Sequence, residues 1–72
     1  MKTNLEQLKE VVAAISQKHI EKLPAILACL EKHYLANQKM VDDVMKINGP
    51  KGGFAILASN VSAFKSEMLA LR

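Results

Sequence analysis

The chain has 72 residues, a formal net charge of +3 and one cysteine. That length allows one domain with a small core, and a lone cysteine excludes an internal disulfide. No apolar run approaches the roughly 20 residues that cross a bilayer.

Half of the residues are apolar, yet there is no Trp, one Tyr and only two Phe. Leu, Val, Ile, Ala and Met must therefore form the core, which suits helix–helix packing better than a sheet or an aromatic pocket.

The first six residues lack the apolar core of a signal peptide, and Glu6 and Glu10 fall where it would lie. A cytoplasmic protein is expected, and an unpaired cysteine fits that compartment. Thr3 or Asn4 can cap a first helix. With Thr3 as cap, Glu6 stands three residues on, the spacing of a capping box. Leu5, Leu8, Val12 and Ile15 repeat at three- and four-residue intervals, which predicts a helix over about 4–19 with one apolar stripe.

The stripe then slips. Its continuation would use His19 and Lys22, but the apolar residues are Ile20 and Leu23, about 100° away around the axis. Pro24 lacks an N–H and disfavours helical geometry at Leu23, although a first turn tolerates it. Two solutions stand: a separate N-terminal helix, or one long helix kinked at Pro24. A second stripe follows in Ile20, Leu23, Leu27, Leu30 and Tyr34, resumes at Val41 and Val44, and predicts a helix over about 21–47.

Asn48-Gly49-Pro50-Lys51-Gly52-Gly53 predicts a turn over 48–53, because Asn or Gly can take the left-handed capping conformation and proline cannot continue a helix. Phe54, Leu57, Val61, Phe64, Met68 and Leu71 then predict a third helix over 54–71. A short connection between long amphipathic helices returns them side by side. The expected fold is all-α: an antiparallel hairpin of long second and third helices behind a kinked or separate N-terminal helix, assembling into a multi-helix bundle.

Residues expected to pack the hairpin and its oligomer are Leu27, Leu30, Tyr34, Val41, Val44, Phe54, Leu57, Val61, Phe64 and Met68. Asn37 interrupts the second stripe. It either fixes register across a dimer axis or marks a wet gap where helices diverge. Ala55, Ser59, Ser62 and Ser66 form a small-residue stripe that would let another helix approach. Met40, Met45, Met68, Ile26, Ile47 and Ile56 widen the apolar faces beyond what one hairpin covers, which favours a homodimer or higher oligomer.

Lys18, Lys32, Lys39 and Lys46 share one heptad position and make a basic stripe suited to an acidic partner or nucleic acid. Nine of the ten basic residues are Lys and the one Arg, Arg72, is terminal. Arginine-borne base reading is therefore not expected. A membrane-surface helix over Phe54 to Leu71 would have only Lys65 and Arg72 as cations, fewer than such helices carry.

No chemistry assembles from spacing. The glycine-rich segment lacks the strand, residue order and hydroxyl of a phosphate-binding loop. Cys29 and His33 are four apart on one helix face, with His19 nearby, but no carboxylate is tied to them by spacing, so neither a metal nor another cofactor is expected. Adjacent Asp42 and Asp43 point about 100° apart and read as solvated surface.

The expected function is a non-enzymatic helical protein–protein interaction module: an adaptor, a chaperone-like protein, or a regulator or inhibitor of a larger protein. A nucleic-acid-binding regulator using the lysine stripe is the alternative.

Overall fold

The computed structural model describes residues 1–71. Arg72, counted above among the cations, lies outside the described residues. The chain is all-helical, as the apolar spacing requires. Its order is α1 (Asn4–Ile15), a 3₁₀ segment (Gln17–Lys22), α2 (Leu23–Ala36), α3 (Gln38–Asn60) and α4 (Ser62–Leu71).

The start of α1 follows its local code. The Thr3 side chain accepts from the Glu6 amide and the Glu6 carboxylate accepts from the Thr3 amide, closing the capping box. The end does not follow the expected helix to 19. α1 stops at Ile15, and His19 takes a non-helical backbone (φ −125°, ψ 43°) within the 3₁₀ segment. Pro24 sits in the first turn of α2, so the slipped stripe is resolved by two separate helices rather than one kinked helix. Each stripe can then aim at the core on its own axis.

The expected second helix over 21–47 is cut at Asn37 (φ −127°, ψ 27°), which ends α2. Its Nδ2 donates to the His33 carbonyl at 2.9 Å, beside the Asn37 backbone N–H at 3.1 Å, so side chain and main chain cap the same oxygen at the end of α2. Within this chain Asn37 is thus a helix terminator, half-buried where α2 ends and α3 begins.

The expected turn over 48–53 shrinks to one residue. Gly49 (φ 74°, ψ −170°) alone leaves helical geometry, and Pro50, whose fixed φ suits a first helical turn, restarts the helix at once. α3 is therefore bent rather than interrupted by a loop. The expected helix over 54–71 is cut in turn at Val61 (φ −114°, ψ 93°). Asn60, Val61 and Ser62 are all mediocre helix formers, so little is lost by breaking there. The break lets Leu57 on one side and Phe64 and Met68 on the other all reach the core.

α1 packs on α2 and α3, and α4 packs on α2 and α3. The core comprises Leu8 and Val12 of α1, Ile26, Cys29, Leu30 and Tyr34 of α2, Val41, Met45 and Leu57 of α3, and Phe64 and Met68 of α4. Phe54 and Phe64 meet edge to face, with ring centroids 6.0 Å apart. Asp42 also departs from the expected solvated position: it is half-buried, and its Oδ1 accepts from Tyr34 Oη at 2.6 Å and Asn4 Nδ2 at 2.9 Å. One carboxylate thereby ties α1, α2 and α3 together. The neighbouring Asp43 pairs with Lys39 at 3.2 Å.

Candidate functional site

Helical periodicity puts Cys29, Lys32 and His33 on one face of α2. α4 lies against that face and brings Glu67, one residue before the buried Met68, into reach of all three. Glu67 Oε1 takes the Lys32 ammonium at 2.7 Å. Its Oε2 accepts from the Cys29 thiol at 3.3 Å and, in close contact, from His33 Nε2–H. The Cys29 Sγ, a His33 ring nitrogen and a Glu67 oxygen lie within 4.8 Å of one another.

The cluster is held from several sides. Cys29 and His33 are both buried, each 8 % exposed. Phe64 packs edge-on against the His33 imidazole, with centroids 5.6 Å apart, which fixes the plane of the ring. Beside it opens a groove of about 400 Å³ whose other walls are Ala25, Ala28, Ala70 and Leu71. Small alanines on both helices are what leave the groove open.

Electrostatics follow from this packing. The Lys32 ammonium first, then the imidazole and thiol contacts, hold the Glu67 carboxyl down at about 2. Glu67 in return raises the Lys32 ammonium above its ordinary value. Burial first, then donation to Glu67, pushes the Cys29 thiol up to about 11. A thiol kept protonated in this way is a poor nucleophile at neutral pH. What the three side chains can do together is share a cation: soft sulfur, borderline imidazole and hard carboxylate on one small volume.

A second feature is apolar. Phe54, Ala58, Phe64, Met68 and Leu69 line a groove of about 240 Å³ between the C-terminal half of α3 and α4, with Lys65 at its edge. Several large apolar side chains stay in solvent: Ile20 is 69 % exposed, Ile47 85 % and Leu69 61 %, with Ile15 and Leu35 about half exposed.

The packing residues expected from the sequence divide between core and rim. Leu30, Tyr34, Val41, Leu57, Phe64 and Met68 are buried within this one chain, while Leu27, Phe54 and Val61 pack partly buried against them. Val44 and Asn37 are half-buried. The small-residue stripe of Ala55, Ser59, Ser62 and Ser66 is exposed, and Ser59 Oγ turns back to donate to the Ala55 carbonyl.

The four lysines lie on three elements: Lys18 on the 3₁₀ segment, Lys32 on α2, and Lys39 and Lys46 on α3. Lys32 is engaged by Glu67 and Lys39 by Asp43. His19 is not in the thiol–imidazole cluster.

Glu67 is the residue that sequence reasoning missed. It stands 38 positions from Cys29 and 34 from His33, and no local spacing joins residues so far apart. Among the described residues, no helix is long and apolar enough to cross a membrane. The chain matches no family model, no curated protein and no solved structure.

Proposed function

We propose that this chain is a small non-enzymatic protein–protein interaction module that works by occupancy, as an adaptor, chaperone-like protein, or regulator or inhibitor of a larger protein, and that it self-associates in the cytoplasm. One observation supports this above others. After the core is closed, Leu69 and the half-buried Phe54 and Ala58 of the groove between α3 and α4 remain open to contact, and Ile20, Ile47 and Leu35 stay in water. An apolar groove and large apolar side chains left in solvent are the usual marks of a partner face. The centres of the helical stripes are consumed inside the chain. The partner contact therefore belongs to these leftover residues.

A nucleic-acid regulator built on Lys18, Lys32, Lys39 and Lys46 is the weaker alternative, because two of these cations already have carboxylate partners. Light scattering across a dilution series tests the main reading. The wild-type mass should exceed the 7.9 kDa of one chain at micromolar concentration, and Leu69→Lys should return it to one chain without loss of helicity. A mass of 7.9 kDa at every concentration would overturn self-association.

A further inference from the structure

We propose that Cys29 Sγ, His33 Nε2 and Glu67 Oε2 bind a single zinc ion, which leaves a fourth coordination position facing the groove between α2 and α4. Around a tetrahedral zinc, ligand atoms about 2.0–2.3 Å from the metal stand roughly 3.3–3.7 Å from one another. The Cys29 Sγ to Glu67 Oε2 distance is already 3.3 Å, and all three groups supply an atom within 4.8 Å of the others. Small side-chain shifts, without movement of either helix, convert the hydrogen-bonded cluster into a coordination shell.

Several further observations favour an ion here. Cys29 and His33 come from successive turns of one helix, so the backbone itself sets their separation. Phe64 holds the imidazole plane. Lys32 occupies Glu67 Oε1 and leaves Oε2 turned to the thiol and imidazole, the kind of outer contact that orients a carboxylate ligand. The groove walls of Ala25, Ala28, Ala70 and Leu71 offer no other side-chain ligand, so a water or a small ligand must complete the tetrahedron.

Binding replaces existing hydrogen bonds. The thiol gives its proton to solvent as the Zn–S bond forms, and His33 ligates through Nε2 with its proton moved to Nδ1. The Glu67 oxygen exchanges two hydrogen-bond donors for the metal. Two anionic ligands balance the +2 ion.

The test uses the full chain, reduced and stripped by a chelator, titrated with Co²⁺ and then Zn²⁺. One Co²⁺ per chain should produce a thiolate-to-cobalt charge-transfer band and intense visible bands of a tetrahedral ion, all bleached by Zn²⁺. X-ray absorption of the zinc-loaded wild type should show one sulfur at about 2.3 Å and one imidazole. Cys29→Ser should abolish the charge-transfer band. His33→Gln and Glu67→Gln, checked for unchanged helicity, should each weaken binding by more than about tenfold. His19→Gln should bind as the wild type does.

No charge-transfer band at saturating Co²⁺ overturns the proposal and leaves the cluster a hydrogen-bonded tie between α2 and α4. Two sulfurs per zinc, or wild-type affinity in Glu67→Gln, overturns it equally. The wild-type spectra decide the matter even where a variant does not fold.

Discussion

Tyr34 and Asp42 form the hydrogen bond on which three helices meet, and each end of it reports on pH differently. Donation from Tyr34, then from Asn4, holds the Asp42 carboxyl below its ordinary value. Burial, then that same bond, pushes the Tyr34 hydroxyl up to about 12. A lowered folded-state carboxyl contributes stability above its unfolded value, and that stability is lost as pH falls through the folded one. A raised phenol contributes fully below its unfolded value near 10.0, and its share is lost as pH rises from there through about 12. Tyr34→Phe should therefore flatten both the acid and the alkaline limbs of a denaturation-versus-pH series, and lower stability near neutrality by about 1 kcal/mol. Limbs that coincide with those of the wild type would refute this pairing as a determinant of stability. Tyr34 was legible as a core residue from its place in the stripe. Asp42 was not, because a carboxylate beside a second one reads as surface until the partners arriving from α1 and α2 are known.

At the level of elements, the sharpest feature is the bend in α3. Gly49 occupies a region of positive φ with an extended ψ that side-chain-bearing residues adopt only at a cost of roughly 1–3 kcal/mol. Gly52 is constrained by space instead. A Cβ there would lie 2.4 Å from Asn48 Cβ, an atom that no rotamer change can move away. Gly49→Ala and Gly52→Ala should each destabilise the fold by about 1–3 kcal/mol, read as a lower urea midpoint at unchanged slope. Gly52→Ala is the more telling variant. Alanine favours a helix interior by up to about 1 kcal/mol over glycine, so a gain in stability would mean that the two halves of α3 do not approach this closely. Gly49 and Pro50 were legible as a stop signal, and the capping box at Thr3 was legible outright. The breaks at Asn37 and Val61 were not, because the apolar spacing resumes in register after the polar gap at Asn37 and runs through Val61 itself. Neither residue is strong enough on its own to end a helix.

For the whole molecule, the decisive quantity is how much core so short a chain can assemble. Its smallest dimension is 16 Å, less than two helix diameters, so one or two large side chains carry much of the stability. Phe64 is 1 % exposed and touches both the His33 ring and Phe54. Phe64→Ala should cost about 3–5 kcal/mol, against a total of roughly 4–11 kcal/mol for a chain of this length. Calorimetry should then show the melting transition displaced by tens of degrees or lost, and a shift of only a few degrees would refute so central a role. The same thinness explains why Ile20, Ile47 and Leu69 stay in water: four short helices have too few faces to cover one another. What the sequence determined by itself was the class of the fold and most of its core, since apolar residues at three- and four-residue spacing can only be buried by helices packing on helices. Only the tertiary structure decided where those helices end and that Glu67 meets Cys29 and His33. Helix ends shift by a few residues for little free energy, so packing chooses among them, and contacts between distant positions leave no trace in local spacing.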